Sequence, residues 1–374
     1  MGKLIKILSF LFFLVTFLIL SKSLLLNFYP DLSQYYFGAK SMNPYLNGII
    51  YPPFSILIFS LLTYFPFVWI EKVWTILSSV SLFASVYLIF RLYNKKIFSI
   101  LGFVALGLVC LSFPVKFTLG MGQINNFILL IFVSALYFLN KERNHLASFF
   151  LSLSLAIKLF PVYLLIYFFL AKKWKIILLL VIFLISLSLI AMVFVGLKIN
   201  LYFYENFLPT LLSGWKTDYY NQSLTGFIGR SFLQNIFSQI IIGFTSLIFI
   251  FVSILTVFKS LKNKALMNMC FGLLITLNVV VNNFSWQHHF VFLIFPFLVT
   301  LFYILNLKKS LKPILIIFIS YVLISFNLKN PSDVLILLQS HIFYGTVLLW
   351  FLEIYLIWRG SHKLPRGFSL ALRH

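Results

Sequence analysis

The chain has 374 residues, of which 62% are hydrophobic, 20% aromatic and only 10% charged. Soluble domains carry about 25% charged residues, so this composition excludes a soluble globular protein and a disordered one. The apolar runs are continuous rather than the ~10-residue alternating segments of a membrane β-barrel. The 29 basic and 7 acidic residues give a net charge of +22, yet the basic residues sit in short clusters between apolar runs. That is the pattern of an all-α polytopic membrane protein, whose cytoplasmic loops carry the lysines and arginines, and no nucleic-acid partner is expected.

Lys3 and Lys6 precede an apolar run to Leu26. It is too long for a secretory signal core, so residues 4–26 are predicted as a first membrane helix that stays in the protein. Residues 27–68 follow as a large outer segment. Its last part, Phe54–Phe67, has ~14 residues against the ~20 a span needs and prolines at both ends, so it is expected to lie in the interface. Helices are predicted at 70–91, 97–113 and 127–140, with Pro114–Asn126 as an outer loop. Between Arg143 and Lys172 there is room only for two short helices, broken apart by Pro161 just after Lys158. Such a break at membrane depth is tolerated where it lines a cavity. A helix at 176–196, an outer loop at 197–234, and helices at 235–258, 265–281, 290–307, 313–328 and 337–358 complete the chain. All the basic clusters fall on one side in this layout: Lys3/Lys6, Arg91/Lys95/Lys96, Lys141/Arg143, Lys172/Lys173/Lys175, Lys259/Lys262/Lys264, Lys308/Lys309/Lys312 and Arg359/Lys363/Arg366/Arg373. The expectation is one integral membrane domain over 1–374 with roughly 12 membrane segments, both termini and the 359–374 tail cytoplasmic. Cys110 and Cys270 lie within apolar runs and indicate no disulfide framework.

Polar residues are costly in lipid, so their placement is informative. They gather in loop 27–53, in GMGQINN (120–126), in GWKTDYYNQSLTGFIGR (214–230) and in NNFSWQHH (282–289). The predicted topology puts all of these on the outer face, which suggests one site there, formed chiefly by the loops 27–68 and 197–234. Asp31 is the one acid between residues 1 and 70. It is read either as a general base at the membrane rim or as a turn cap, since Pro-Asp favours turns. Lys158 is either a snorkelling lysine or a cation at the helix break that pairs with phosphate. Arg230 has the same two readings, as a solvated charge or a phosphate partner. Gln123, Asn125 and Asn126 are candidate substrate contacts or caps of the following helix. Tyr35, Lys40 and Tyr51, with the neighbouring aromatics, form an interfacial belt or a sugar platform. Asn221 and Gln222 are further candidate contacts. His288 and His289, beside Trp286, are interfacial residues or phosphate or sugar ligands. Adjacent positions on a helix point about 100° apart, so the pair is not expected to hold a metal.

In order, these motifs resemble glycosyltransferase family 87. They are Asp31 in the first outer loop, Tyr35-Tyr36 with Ala39-Lys40, Tyr51-Pro52-Pro53, Gly122-Gln123 with Asn125-Asn126, Lys158 with Pro161 and the basic Lys172-Lys173-Trp174, Asn221-Gln222-Ser223-Leu224 leading to Arg230, and His288-His289 before Pro296. The order and spacing match over residues 27–300. The resemblance implies a GT-C-type membrane enzyme. It would move a hexose, typically mannose, from a polyprenyl-phosphate sugar to a glycolipid or glycan acceptor on the outer face of the cytoplasmic membrane. Asp31 maps to the family's proposed base. Inverting glycosyl transfer needs one carboxylate to take the acceptor proton, while a hydrolase normally uses two. No cofactor is expected beyond the lipid-linked donor, which is a substrate. The competing class is a transporter or flippase for a polyprenyl-linked or other amphiphile. That class more often shows matching broken helices in two symmetric halves, which this sequence lacks.

Overall fold

The computed structural model describes residues 2–24, 29–212, 217–307 and 311–362. They are helical, and the described residues hold no strand beyond an isolated antiparallel bridge between Asn221 and Trp286. In chain order the helices are α1 (Gly2–Leu24), α2 (Pro30–Lys40), α3 (Pro53–Leu62), α4 (Phe67–Leu92), α5 (Ile100–Leu111), α6 (Phe113–Met121), α7 (Asn125–Asn140), α8 (Asn144–Ile157), α9 (Leu165–Leu170), α10 (Trp174–Val195), α11 (Leu197–Tyr202), α12 (Leu208–Leu212), α13 (Leu224–Ser231), α14 (Ile236–Ser260), α15 (Met267–Val281), α16 (Ile294–Asn306), α17 (Leu311–Ser325) and α18 (His341–His362). Among the described residues, 7 helices are long and apolar enough to cross a membrane, or 8 when the pair α5 and α6, bent by 58°, counts as one span. The expected total of about 12 is therefore not reached by length alone. α7, α8 and α17 are apolar but shorter than a span, as is the stretch Phe160–Leu170. The predicted tail beyond His362, Lys308 and Lys309, and positions 213–216 of the second outer loop lie outside the described residues.

Three segments read as loops hold helices, and the predicted outer loop at 197–234 contains α11, α12 and α13. Asp31 to Lys40 lies in α2, entered through Pro30 at its first position, where a missing N–H costs nothing. Pro114 likewise sits in the first turn of α6, so it redirects the chain after α5 instead of ending the helix. The break after α8 is as expected. Lys158 is extended (φ −152°, ψ 124°), and Phe160–Leu164 forms a 3₁₀ turn around Pro161. The Phe54–Phe67 segment contributes the 10-residue helix α3, about 15 Å long.

Contacts group the chain into two compact units. The first comprises 1–162 and 175–214, the second 163–174 and 215–374. In the first, α1 packs on α5, α4 on α7, α7 on α8, and α2 on α3. Small hydroxyls join these helices. Ser148 and Ser152 donate to the carbonyls of Ile176 and Leu180 on α10, at 3.2 and 2.9 Å. Such polar glue takes the place of a hydrophobic driving force between helices in lipid. In the second unit α15 is the most buried helix and packs on α14, α16 and α18. Trp350 and Trp358 of α18 donate to Ser253 and Thr256 of α14, at 2.9 and 2.8 Å. The fully buried Glu353 faces Gly272 of α15 and lies beside Thr276 and Thr300. A Cβ at position 272 would come within 2.8 Å of the Glu353 carboxylate, so the glycine makes room for it.

Candidate active site

In the first unit, a cluster forms where α2, the loop before α3, the turn between α6 and α7, and the end of α8 meet. The turn depends on Gly122, whose φ of +71° favours glycine. A Cβ there would lie 2.6 Å from that of Leu32, so the turn can press against the first turn of α2. This brings the next residue, Gln123, to Asp31. The Gln123 Nε2 donates to the Asp31 carboxylate. Its Oε1 accepts from the hydroxyls of Tyr35 (2.9 Å) and Tyr51 (3.0 Å), which are themselves 2.9 Å apart. With both Oε1 positions taken by hydroxyls, the amide is oriented so that only its NH₂ faces the acid. The α2 N-cap, Tyr29, makes no side-chain capping bond, and the bond seen for Asp31 runs to Gln123.

Lys158 enters from the end of α8. Its ammonium donates to Asn125 Oδ1 at 2.7 Å and lies 5.0 Å from the centre of the Tyr51 ring. Asn126, one residue on, donates to Ser78 Oγ of α4 at 3.0 Å. Trp74, one turn before Ser78, packs against Phe127 and Tyr35, with ring centres 4.7 and 6.3 Å apart. Burial pushes the Asp31 carboxyl up to about 6, and the Gln123 amide and the positive field of Lys158 hold it from rising further. The arrangement provides a half-buried carboxylate with a fixed orientation and a cation close enough to act on it. Those are the elements needed to accept a proton beside an anion.

Lys40 is not part of this cluster. It is exposed, donates to the Tyr36 hydroxyl at 3.0 Å and stacks over that ring at 4.4 Å. Tyr36 in turn donates to the Phe65 carbonyl, so this pair braces α2 against the start of α4.

The second unit gathers the remaining candidates. Asn221 Oδ1 accepts from the backbone N–H groups of Ser223 (3.2 Å) and Ser285 (2.9 Å). Gln222 donates to the carbonyls of Tyr219 and Gln339. Arg230 donates from Nη1 to the carbonyls of Asp218 (2.8 Å) and Asn221 (2.6 Å), and from Nη2 to Ser340 Oγ (2.7 Å). Burial lowers its guanidinium only to about 10, so it stays charged at neutral pH. His288 and His289 are buried with ring centres 4.5 Å apart. His289 Nδ1 accepts from the Trp286 N–H at 3.0 Å, which puts the proton of a neutral ring on Nε2. Asn221, through Ser285 and its bridge to Trp286, ties the 217–224 and 282–289 segments together. The buried polar atoms Gln222 Oε1, Ser285 Oγ and the Gln287 amide have no hydrogen-bond partner among the described residues.

The polar stretches of the sequence therefore come together in pairs, one pair in each unit. Trp74, Ser78, Ser285, Gln287 and Ser340 were not singled out from the sequence. Ser78 carried a readable signal, since Ser78, Ser81 and Ser85 are buried and recur at helical spacing on α4. Among the described residues no group of three or more His, Cys, Asp or Glu comes together. No curated protein matches the chain. The family model described as glycosyltransferase family 87 matches residues 49–281, a stretch that holds Tyr51, Gln123, Asn125, Asn126, Lys158, Asn221, Gln222 and Arg230. That is more than half of the 374 residues, and with the ordered motifs around it the chain belongs to glycosyltransferase family 87.

Proposed function

We propose that this membrane glycosyltransferase moves a hexose, mannose by family analogy, from a polyprenyl-phosphate sugar to an acceptor hydroxyl with inversion, on the outer face of the cytoplasmic membrane. Asp31 is the general base. Its carboxylate takes the proton of the acceptor O–H as that oxygen attacks the anomeric carbon. The bond from the anomeric carbon to the phosphate oxygen breaks, and the polyprenyl phosphate leaves with the electron pair. A phosphate is a good enough leaving group to need no acid catalyst. Lys158 offsets the negative charge that grows on it. Gln123, held by Tyr35 and Tyr51, keeps the Asp31 carboxylate in one orientation, which a base needs for proton transfer in a bonded complex. Asn125 positions Lys158. Asn126, Asn221, Gln222, His288 and His289 are assigned to contacts with sugar or acceptor hydroxyls.

The observation that carries this reading is the hydrogen-bond chain from Tyr35 and Tyr51 through Gln123 to Asp31. It serves no capping purpose, and it fixes a half-buried carboxylate near a lysine. The test is transfer by the purified protein in detergent from polyprenyl-phosphate mannose, with glycolipid and oligosaccharide acceptors. Product with the inverted anomeric configuration supports the proposal. Movement of a labelled lipid across vesicles by a protein that gives no transfer product with any donor would favour the flippase class instead.

A further inference from the structure

The second unit contains a groove of about 570 Å³ between α13, α14 and α18, with an almost wholly apolar lining. Phe227 of α13, Ile241 and Phe249 of α14, and Phe343, Tyr344 and Phe351 of α18 form its walls. Phe351, at one end, is exposed, so the groove opens to the surroundings of two helices that pass the membrane-span criterion. Along α14 the lining runs from 241 to 249 and along α18 from 343 to 351, about 12 Å on each helix at 1.5 Å per residue. Both stretches lie in the N-terminal halves of their helices. The groove therefore covers approximately the depth of one leaflet, half of a ~30 Å hydrocarbon core.

Arg230 stands at the other end. It follows the lining residues Phe227 and Ile228 on α13, and it couples electrostatically to Tyr344, which also lines the groove. Three hydrogen bonds fix its guanidinium. Its buried Nε–H has no partner. Nε and Nη2 share one edge of the planar fork, the edge through which arginine grips two oxygens of a phosphate. An apolar slot one leaflet deep with a rigid cation at its rim matches an anionic lipid whose chain ends within that leaflet. A long polyprenyl chain would far outrun it.

We propose that this groove holds one acyl chain of an anionic glycerophospholipid, with the lipid phosphate on Arg230. The site is distinct from the Asp31 cluster and does not depend on the chemistry of transfer.

The experiment uses the full chain in phosphatidylcholine vesicles doped with phosphatidylglycerol that carries a photoactivatable group in one acyl chain. After irradiation, adducts are mapped by mass spectrometry. Labelling concentrated on 241–249 and 343–351 is expected, with unlabelled phosphatidylglycerol competing at least about tenfold better than phosphatidylcholine, a difference of about 1.4 kcal/mol. Thr245→Trp fills the groove without touching the Arg230 bonds and should remove most of the labelling. Arg230→Gln should erase the preference for the anionic lipid. Thr245→Trp keeps the test decisive if loss of the arginine disturbs the fold. Equal labelling by a phosphatidylcholine probe, labelling untouched by Thr245→Trp, or stronger competition by polyprenyl phosphate than by phosphatidylglycerol would overturn the proposal, the last by assigning the groove to the sugar donor.

Discussion

Asp31 has two readings that give opposite results for one substitution. Asn caps a helix as well as Asp does, so a capping role predicts that Asp31→Asn is nearly silent. A general base contributes on the order of 10²–10⁴ in rate, so the proposed mechanism predicts a loss of that size with donor binding intact, measured as initial rates and donor affinity on the purified variant. The sign of the pH dependence follows from burial. The carboxyl sits at about 6 in the folded protein, and the charged form accepts the proton. The ratio kcat/KM should therefore fall about tenfold per unit below about pH 6. A profile flat from pH 5 to 8 would contradict this assignment. For Lys158, hydrogen bonds involving a charged group are worth about 1.5–3 kcal/mol. Lys158→Met should weaken donor binding by about tenfold or more and leave thermal stability little changed. Unchanged donor affinity in a folded variant would return Lys158 to a snorkelling role.

The turn between α6 and α7 is the element on which the cluster rests. Alanine at Gly122 would need a left-handed backbone, at a cost of about 1–2 kcal/mol, and its Cβ would collide with Leu32. Gln123 would then shift away from Asp31, and displacement of about 1 Å at a reacting group can cost 10²-fold. Gly122→Ala is therefore expected to lower kcat by much more than its effect on thermal unfolding explains, and equal kcat for the variant and the parent would contradict this. The same turn shows what was and was not legible in the sequence. Polar Gln123, Asn125 and Asn126 between apolar runs marked it as special, and Pro161 marked the break that frees Lys158. Helix α6 was missed because Pro114 was read as a stop, whereas the fold uses it as a first-turn residue. Helix α2 was missed because it is only 11 residues long and begins at Pro30, although Leu32, Tyr35 and Tyr36 recur at helical spacing on its buried face. The bond from Asn126 to Ser78 depends on which helices become neighbours, and no local pattern encodes that.

At the scale of the whole chain, contacts within the units bear on the expected topology without a membrane in view. In the first unit Asp31, after α1, meets Gln123, after α6, so the chain between them must leave and return to the same end. Lys158, after α8, meets Asn125, at the start of α7, so α7 and α8 form a hairpin that also returns. In the second unit Asn221 pairs with Trp286 and Arg230 reaches Ser340, and each pair again joins segments that the basic clusters assign to one face. Parity of this kind survives any dispute over whether short helices such as α7 and α8 count as full spans. On the proposed layout the positive-inside rule would put the Asp31 cluster on the side away from Arg91, Lys95 and Lys96. The prediction is that a membrane-impermeant thiol reagent added to intact cells labels Met42→Cys, at a site 99% exposed, and Thr217→Cys. Asn94→Cys and Ser361→Cys should react only after permeabilisation. Cys110 and Cys270 are buried, so the natural thiols give little background. If Asn94→Cys and Ser361→Cys were labelled in intact cells and Met42→Cys were not, the whole layout would invert. The Asp31 cluster would then face the cytoplasm, and an acceptor hydroxyl could not reach that base from the outer face.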